Sequence, residues 1–319
     1  MAPKLEDVAG RAGVSRGTAS RALTGHPHVA RATRERVLAA AAELGYRPDL
    51  AARSLAGGPG DQVAVLSLVH PWSPAEDPFL AAVVAGAAEA AAATGVGVLL
   101  RRLPVGDRAG LAELAADRRL AGLVLVNPTV EVLAALPATT LARTVTLGGC
   151  RPDVPSVDMD NVGGVTQALE HLLAGGRRRV LALVGPTSMP CSAERLDTYA
   201  RRLAGHGLPA RSLRSAPLRS AAARAFAAAT TAAGGPPDAV FATHEEQGHA
   251  VLAECARRGW SVPGDVEVVS FDDFPAPPGS RGYTSLSSVT PQLGETAVRM
   301  VVAGPQAGDH RRLPVELLS

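Results

Sequence analysis

The sequence predicts an α/β protein: a small all-helical N-terminal head, then a large body built on parallel β-sheets. Three observations predict it. Residues 1–46 show helical apolar spacing punctuated by Gly13, Ser15 and Gly45. From residue 61, short apolar runs alternate with helical patterns, the order that gives parallel strands covered by helices on both faces. The length of 319 residues exceeds one ordinary core, so more than one domain is expected. With 46% hydrophobic and 19% charged residues, the composition is globular rather than disordered.

In the head, Leu5, Val8, Ala9 and Ala12 recur at helical spacing and define one buried face. Gly13 ends that helix, and Ser15 is a good N-cap for the next. On the second helix Ala19, Ala22 and Leu23 turn inward with Val14, leaving Arg16, Gly17, Ser20 and Arg21 outside. A third helix runs from about Arg31 to Leu44, with Val37, Leu38, Ala41 and Leu44 inward and Gly45 at its C-terminal end. This is a helix-turn-helix, a device for laying one helix in the DNA major groove. The outer positions at the start of such a helix reach base edges, and Ser and Arg further along suit phosphates. Arg16 has the fork that matches guanine O6 and N7, whereas Gly17 offers no side chain. Residues 1–60 hold nine Lys/Arg against five Asp/Glu, and the rest hold 23 against 25. A basic head on a near-neutral body fits a local nucleic-acid contact, although ordinary solvated helices carry such charge too.

In the body, strands are expected at Val63–Val69, Val96–Leu100, Leu123–Val126, Thr144–Leu147, Val180–Val184, Ala239–Thr243 and Glu267–Phe271. Helices fit 79–94, 110–119, 162–174, 193–205, 219–233, 246–258 and 291–303. Ligands in such folds bind beyond the carboxyl ends of the strands.

Several classes are disfavoured. The charged start, Met1-Ala2-Pro3-Lys4-Leu5-Glu6-Asp7, is not a secretory leader, and no apolar run reaches the ~18 residues of a membrane span. Three scattered cysteines, Cys150, Cys191 and Cys255, give neither a disulfide framework nor zinc spacing, so a reduced, cytoplasmic protein is expected. Gly13-Val14-Ser15-Arg16-Gly17 matches the G-x-S-x-G of serine hydrolases, but a helix rather than a strand precedes the serine. Gly95-Val96-Gly97 opens a strand, not a helix, and so is no dinucleotide fingerprint. His26 and His28 have no partners at metal spacing. No cofactor, metal or catalytic residue is expected.

Asp7-Val8-Ala9, Ala12-Gly13-Val14-Ser15, Thr18-Ala19-Ser20-Arg21-Ala22-Leu23, Thr33-Arg34-Glu35-Arg36-Val37 and Glu43-Leu44-Gly45-Tyr46-Arg47-Pro48 together resemble the lactose-repressor (LacI/GalR) family. The resemblance implies a helix-turn-helix domain over 1–46, and a hinge helix and linker over 47–60. It implies an effector-binding and dimerisation body over 61–319. That body is periplasmic-binding-protein-like and two-lobed, with an N-lobe of about 61–159 and 290–319 and a C-lobe of about 160–289. Crossovers are expected near Asp160 and Ser288–Thr290, and Leu313–Leu317 as the closing strand of the N-lobe. It implies a homodimer on a pseudo-palindromic double-stranded operator, since the chain stops before any tetramerising tail. DNA contacts are expected from Ser15, Arg16, Gly17, Thr18, Ser20 and Arg21, with Leu55 of the hinge wedged into the minor groove. Lys4 and Ala30 stand where the family usually has capping hydroxyls, Asp49 where Asn is common and Ala19 where Val is common. A lost cap typically costs ~1 kcal/mol.

For a small-molecule effector the resemblance points to Asp77, Phe79, Asn127, Arg195, His244 and Asp272. Arg195 matches an arginine that holds effector oxygens in two-pronged fashion, and Asp272 a carboxylate that accepts effector hydroxyls. The usual Asn-Asp pair after the Ala239–Thr243 strand is His244-Glu245, and Gly149 takes a position that is often acidic or glycine. The departures point away from a plain hexose; His244 has the side chain for a pH-sensitive response near neutrality, although an ordinary polar loop histidine is the favoured reading. Rival readings are a regulator controlled by a protein partner, a solute-binding protein and an enzyme. The head opposes the solute-binding reading, and no nucleophile-base set supports the enzyme.

Overall fold

Three short helices form where the apolar stripes of the head run: α1 (Leu5–Ala12), α2 (Arg16–Leu23) and α3 (Arg31–Glu43). Val8, Ala19 and Val37 meet at their centre with no exposure to solvent. The computed structural model describes residues 3–23, 28–46, 60–69, 77–149, 151–216, 218–273, 283–287 and 289–318. It divides into two units, Met1–Gly60 and Asp61–Ser319. Asp49, Leu55 and the rest of the predicted hinge to residue 59, with His26, Cys150 and Ser288, lie outside the described residues.

The caps of the head are only partly as expected. Ser15 Oγ accepts the Thr18 N–H at 3.1 Å, an ordinary N-cap for α2. Ala30 gives α3 no side-chain cap. At α1 the Lys4 side chain cannot accept, but Asp7 reaches back and takes the Lys4 backbone N–H at 2.7 Å. One half of a capping box therefore survives. Leu38, expected inside, is 49% exposed. Val37, Ala40, Ala41 and Leu44 already form the i, i+3, i+4, i+7 stripe, and Leu38 lies a further 100° round the helix, off that stripe.

Beyond residue 60 two six-stranded sheets follow. The first contains β1 (Gln62–Val69), β2 (Gly97–Pro104), β3 (Leu120–Val126), β4 (Thr144–Leu147), β5 (Ser156–Met159) and β11 (His310–Leu313), in the order β11-β5-β4-β3-β1-β2, all parallel. The second contains β6 (Val180–Val184), β7 (Arg211–Arg214), β8 (Ala239–Ala242), β9 (Glu267–Phe271), β10 (Thr284–Leu286) and β12 (Leu317–Leu318), in the order β12-β10-β9-β8-β6-β7. Only β12 runs antiparallel to its neighbour. Successive residues of the inner strands enter different cores. Val63 and Val65 face one cluster and Ala64 and Leu66 another, and Val180 and Ala182 alternate with Leu181 and Leu183 in the same way. Burial on both faces is why these strands read as unbroken apolar runs.

The helices of the body are α4 (Pro78–Thr94), α5 (Arg108–Ala116), α6 (Val130–Ala134), α7 (Ala138–Leu141), α8 (Asn161–Ala174), α9 (Pro190–Gly205), α10 (Arg219–Ala232), α11 (Glu245–Arg258) and α12 (Thr290–Ala303). Asp77, Asp107 and Asp160 each cap one of them by accepting an N–H three residues on. The helix expected over 110–119 ends at Ala116, where Asp117 leaves helical geometry. α4 and α12 touch backbone to backbone. A Cβ on Gly86 would lie 1.8 Å from the Pro291 carbonyl oxygen, and one on Gly294 would lie 2.0 Å from that of Val83.

The expected closing strand Leu313–Leu317 is a correction. Pro314 has no N–H for a ladder, and the chain leaves the first sheet after Leu313. It then crosses to the second sheet, where Leu317 and Leu318 pair with Leu286 and Ser285. The last residues therefore do not all belong with the N-lobe sheet.

Candidate functional site

On the head, α2 presents one polar face. Ser15, Arg16, Gly17 and Arg21 are exposed, and Thr18 and Ser20 are half-buried, while Ala19 and Ala22 anchor the opposite face. The Ser15 and Thr18 hydroxyls lie 2.9 Å apart, so both serve the cap as well as the surface. Arg21 Nε donates to the Gly17 carbonyl at 3.1 Å, folding the side chain back over the glycine. Arg16 reaches Glu6 at 3.0 Å, an exposed pair worth little in water and free to exchange for another partner.

In the body, the carboxyl ends of the strands meet the N-termini of α4 and α11 around a cavity of about 240 Å3. Asp77, Phe79, Asn127, Arg195, His244 and Asp272 all line it, so the structure brings together the six residues that the sequence pointed to. Asn127 follows β3 with φ +46° and Asp272 follows β9 with φ +67°, the non-glycine left-handed residues of the described chain. Asn and Asp tolerate that conformation best, and such strain gathers at functional sites. Here it turns one polar side chain from each sheet towards the cavity.

Arg195 is buried and heavily engaged. Its Nε donates to Asn161 Oδ1 at 2.7 Å, its Nη1 to the Thr243 carbonyl, and its Cζ sits 3.6 Å above the Phe271 ring. Much of the hydrogen-bonding capacity expected for an effector therefore goes to holding β8, α8 and α9 in register. Asp272 is 4% exposed, and no donor among the described residues reaches its Oδ1. Burial pushes its carboxyl up, against the pull of Arg195 and with the push of Asp273 and Asp77. Glu245 beside it is raised by burial and then by the Asp272 charge.

His244 requires a correction. Burial, with Arg195 nearby, pushes its imidazole down to about 3, so it stays neutral across the physiological range and is no pH sensor near 7. The lining carboxyls of Asp158, Glu245 and Asp272 are displaced towards neutrality as well, because burial raises an acid and lowers a base. Glu245 of the altered pair lines the cavity and Gly149 does not, while Asp158, Glu246, Met189 and Cys191 also line it and were not singled out for it. The alternation of β5 and the first turn of α11 carry the signal for the acids, but neither shows in an apolar run. Cys191 is buried and its thiol pushed up by desolvation, which makes it a poor nucleophile.

Residues 4–49 match the family of bacterial regulatory proteins of lacI type, and residues 169–318 match the periplasmic binding protein-like domain. The HTH-type transcriptional regulator CelR of Thermobifida fusca is 33% identical over 320 residues, spanning 94% of this chain and 91% of that protein. The chain belongs to the LacI family of bacterial regulatory proteins. Its relatives include the ribose operon repressor of Bacillus subtilis (strain 168), 29% identical over 85% of this chain and 82% of that protein. Among solved structures, a CelR–cellobiose complex aligns with a TM-score of 0.72 at 28% identity, covering 99% of this chain and 98% of that one. The lac repressor dimer bound to operator and the anti-inducer ONPF shares the fold, with a TM-score of 0.76 at 24% identity over 100% and 98%. The family is one of transcriptional regulators rather than enzymes. Among the described residues of this LacI-family member, no helix is long and apolar enough to cross a membrane.

Proposed function

We propose that the chain is a transcription regulator, acting as a repressor, whose affinity for operator DNA is set by a small molecule bound between two lobes. Residues 1–46 read DNA through Ser15, Arg16, Gly17, Thr18, Ser20 and Arg21. Residues 47–60 supply the hinge, with Leu55 as the minor-groove wedge. The body binds effector through Asp77, Phe79, Asn127, Arg195, His244 and Asp272 and joins two copies on a two-fold operator. The working place is the cytoplasm, where DNA is, and the cleft binds without turning its ligand over.

One observation carries the reading. Six side chains, from the start of α4, from α9 and from the segments after β3, β8 and β9, line a single cavity in a chain that also has the three helices of a helix-turn-helix head. A ligand touching both sheets biases their relative position, which is how a binding free energy in the body reaches the head. The CelR–cellobiose complex and the ribose operon repressor support an effector of sugar size and polarity.

The test is selection of bound duplexes from a random DNA pool with the full chain. Enrichment of a two-fold symmetric site with a flexible central step is expected, and sugar-sized ligands should then change its affinity. No enrichment, with or without a metabolite mixture, overturns the reading.

A further inference from the structure

The polar groups of the cleft are one-sided. Among the described residues, four carboxyls line it without an ion pair to a cationic side chain, Asp77, Asp158, Glu245 and Asp272, whereas Glu246 is paired with Arg219 at 2.9 Å. Arg195 is the cation among the described lining residues; its Nε, Nη1 and guanidinium face are taken by Asn161, Thr243 and Phe271, and its Nη2 lies 3.7 Å from Met159 Sδ. Two buried atoms of the described lining lack a partner, and both can accept. Asp272 Oδ1 is buried with no donor among the described residues. The Thr243 hydroxyl gives its proton to Gln247 Oε1 at 3.2 Å and accepts from Gly185 N at 3.1 Å. His244 Nδ1, 3.0 Å from that hydroxyl, is therefore the donor of its pair, and its Nε2, also buried without a partner, is a bare acceptor.

A site of this kind selects among ligands by chemistry. A carboxylate or phosphate brings more acceptors and is repelled. A plain sugar hydroxyl brings one donor with two lone pairs that find few donors here. An ammonium brings three donors, no acceptor and the missing charge. It also offsets the cost of keeping buried carboxylates ionised, which a neutral ligand leaves in place. A bound metal ion fits less well, because no three His, Cys, Asp or Glu among the described residues converge on one point. Asn127 and the Asp77 carboxyl are left to meet hydroxyls, Phe79 and Leu293 give an apolar wall, and about 240 Å3 has room for a sugar ring.

We propose that the effector is a monosaccharide-sized polyol carrying a protonated amine, an amino sugar in chemical terms, with its ammonium beside Asp272 and Glu245. The inference rests on the cleft being the effector site, and deepens that reading. Calorimetric titration of the full chain with D-glucosamine, D-galactosamine and D-mannosamine tests it against the parent hexoses, the N-acetylated forms and 1,4-diaminobutane. At least one amino sugar should bind roughly 10- to 100-fold tighter than its hexose and its N-acetyl form, the range of a charge-assisted hydrogen bond. Glu245→Gln and Asp272→Asn should bring that ratio towards one, with ligand-free melting temperatures equal to or above the parent's. A melting temperature that falls in one variant leaves the other to decide.

Equal or tighter binding of a hexose or N-acetyl sugar overturns the inference and leaves the effector reading standing. Equal binding of the diamine overturns the polyol part. No binding of any member of either series counts against both.

Discussion

At the scale of single residues, charge and burial decide what each group contributes. Arg16 is exposed, at the start of α2, and among the described residues it pairs with the exposed Glu6. Arg16→Ala is expected to cost about 1–3 kcal/mol of operator affinity and relax specificity at one base pair, measured by binding to operator variants. A loss uniform across all sequences would make it a phosphate contact instead. Glu245 and Asp272 make a second prediction. Acids raised in the folded state bind more protons folded than unfolded between the ordinary and the raised pKa. Stability therefore falls as pH rises from about 4 towards about 8. Arg195 opposes this and Asp77, Asp273 and Glu246 reinforce it. Arginine-paired acids such as Glu254 act the other way, so the informative quantity is the difference between the parent and Glu245→Gln. The parent should lose more melting temperature between pH 5 and pH 8 than the variant, and parallel curves would refute the argument. Asn127, His244 and Asp272 were legible because they follow strands, and Asp77, Phe79 and Arg195 because the segments that carry them resemble the family's. Arg195's engagement and the depressed pKa of His244 were not, since both depend on neighbours far along the chain: Asn161, Thr243 and Phe271 for the first, and enclosing burial for the second.

At the scale of elements, what was readable follows sheet position. β1, β3, β4, β6, β8 and β9 are interior, buried on both faces, and each appears as an apolar run. The edges do not. β7 is Arg211-Ser212-Leu213-Arg214 and β11 is His310-Arg311-Arg312-Leu313, polar because one side of each meets water, a composition that also discourages edge-to-edge pairing. β2 was found only to Leu100 because Arg101 and Arg102 continue it along the other edge. β5 and β10 are interior but mixed in composition: Ser156-Val157-Asp158-Met159 alternates polar with apolar, and Thr284-Ser285-Leu286 holds one apolar residue, so neither forms an apolar run. The contact of α4 with α12 was equally hidden, since a glycine in a helix pattern does not reveal what lies across from it. Gly294→Ala should destabilise the body by about 1–3 kcal/mol, because the methyl meets the Val83 backbone rather than a movable side chain. Glu295→Ala, next to it on an exposed i,i+4 pair with Arg299, should change stability by only ~0.5 kcal/mol. Calorimetric melting of both compares them directly, and equal effects would mean that the two helices slide apart freely.

At the scale of the whole molecule, the proposed coupling carries a thermodynamic obligation that needs no knowledge of the path between effector and DNA. If effector lowers operator affinity by some factor, operator must lower effector affinity by the same factor, typically 5- to 150-fold for about 1–3 kcal/mol of coupling. The prediction is quantitative. Effector titrated into free protein and into protein saturated with operator gives two Kd values. Their ratio should equal the ratio of operator Kd values with and without saturating effector, at one fixed salt concentration, because phosphate contacts make DNA affinity steeply salt-dependent. Unequal ratios would mean that the equilibrium contains something besides one effector site and one DNA site. The first suspect would be a change in the number of chains bound, since a two-fold operator rewards pairing of subunits and a ligand that altered pairing would break the two-site balance. Repeating both titrations over a range of protein concentration separates the cases: a true intramolecular coupling is independent of concentration, whereas a shift in pairing is not.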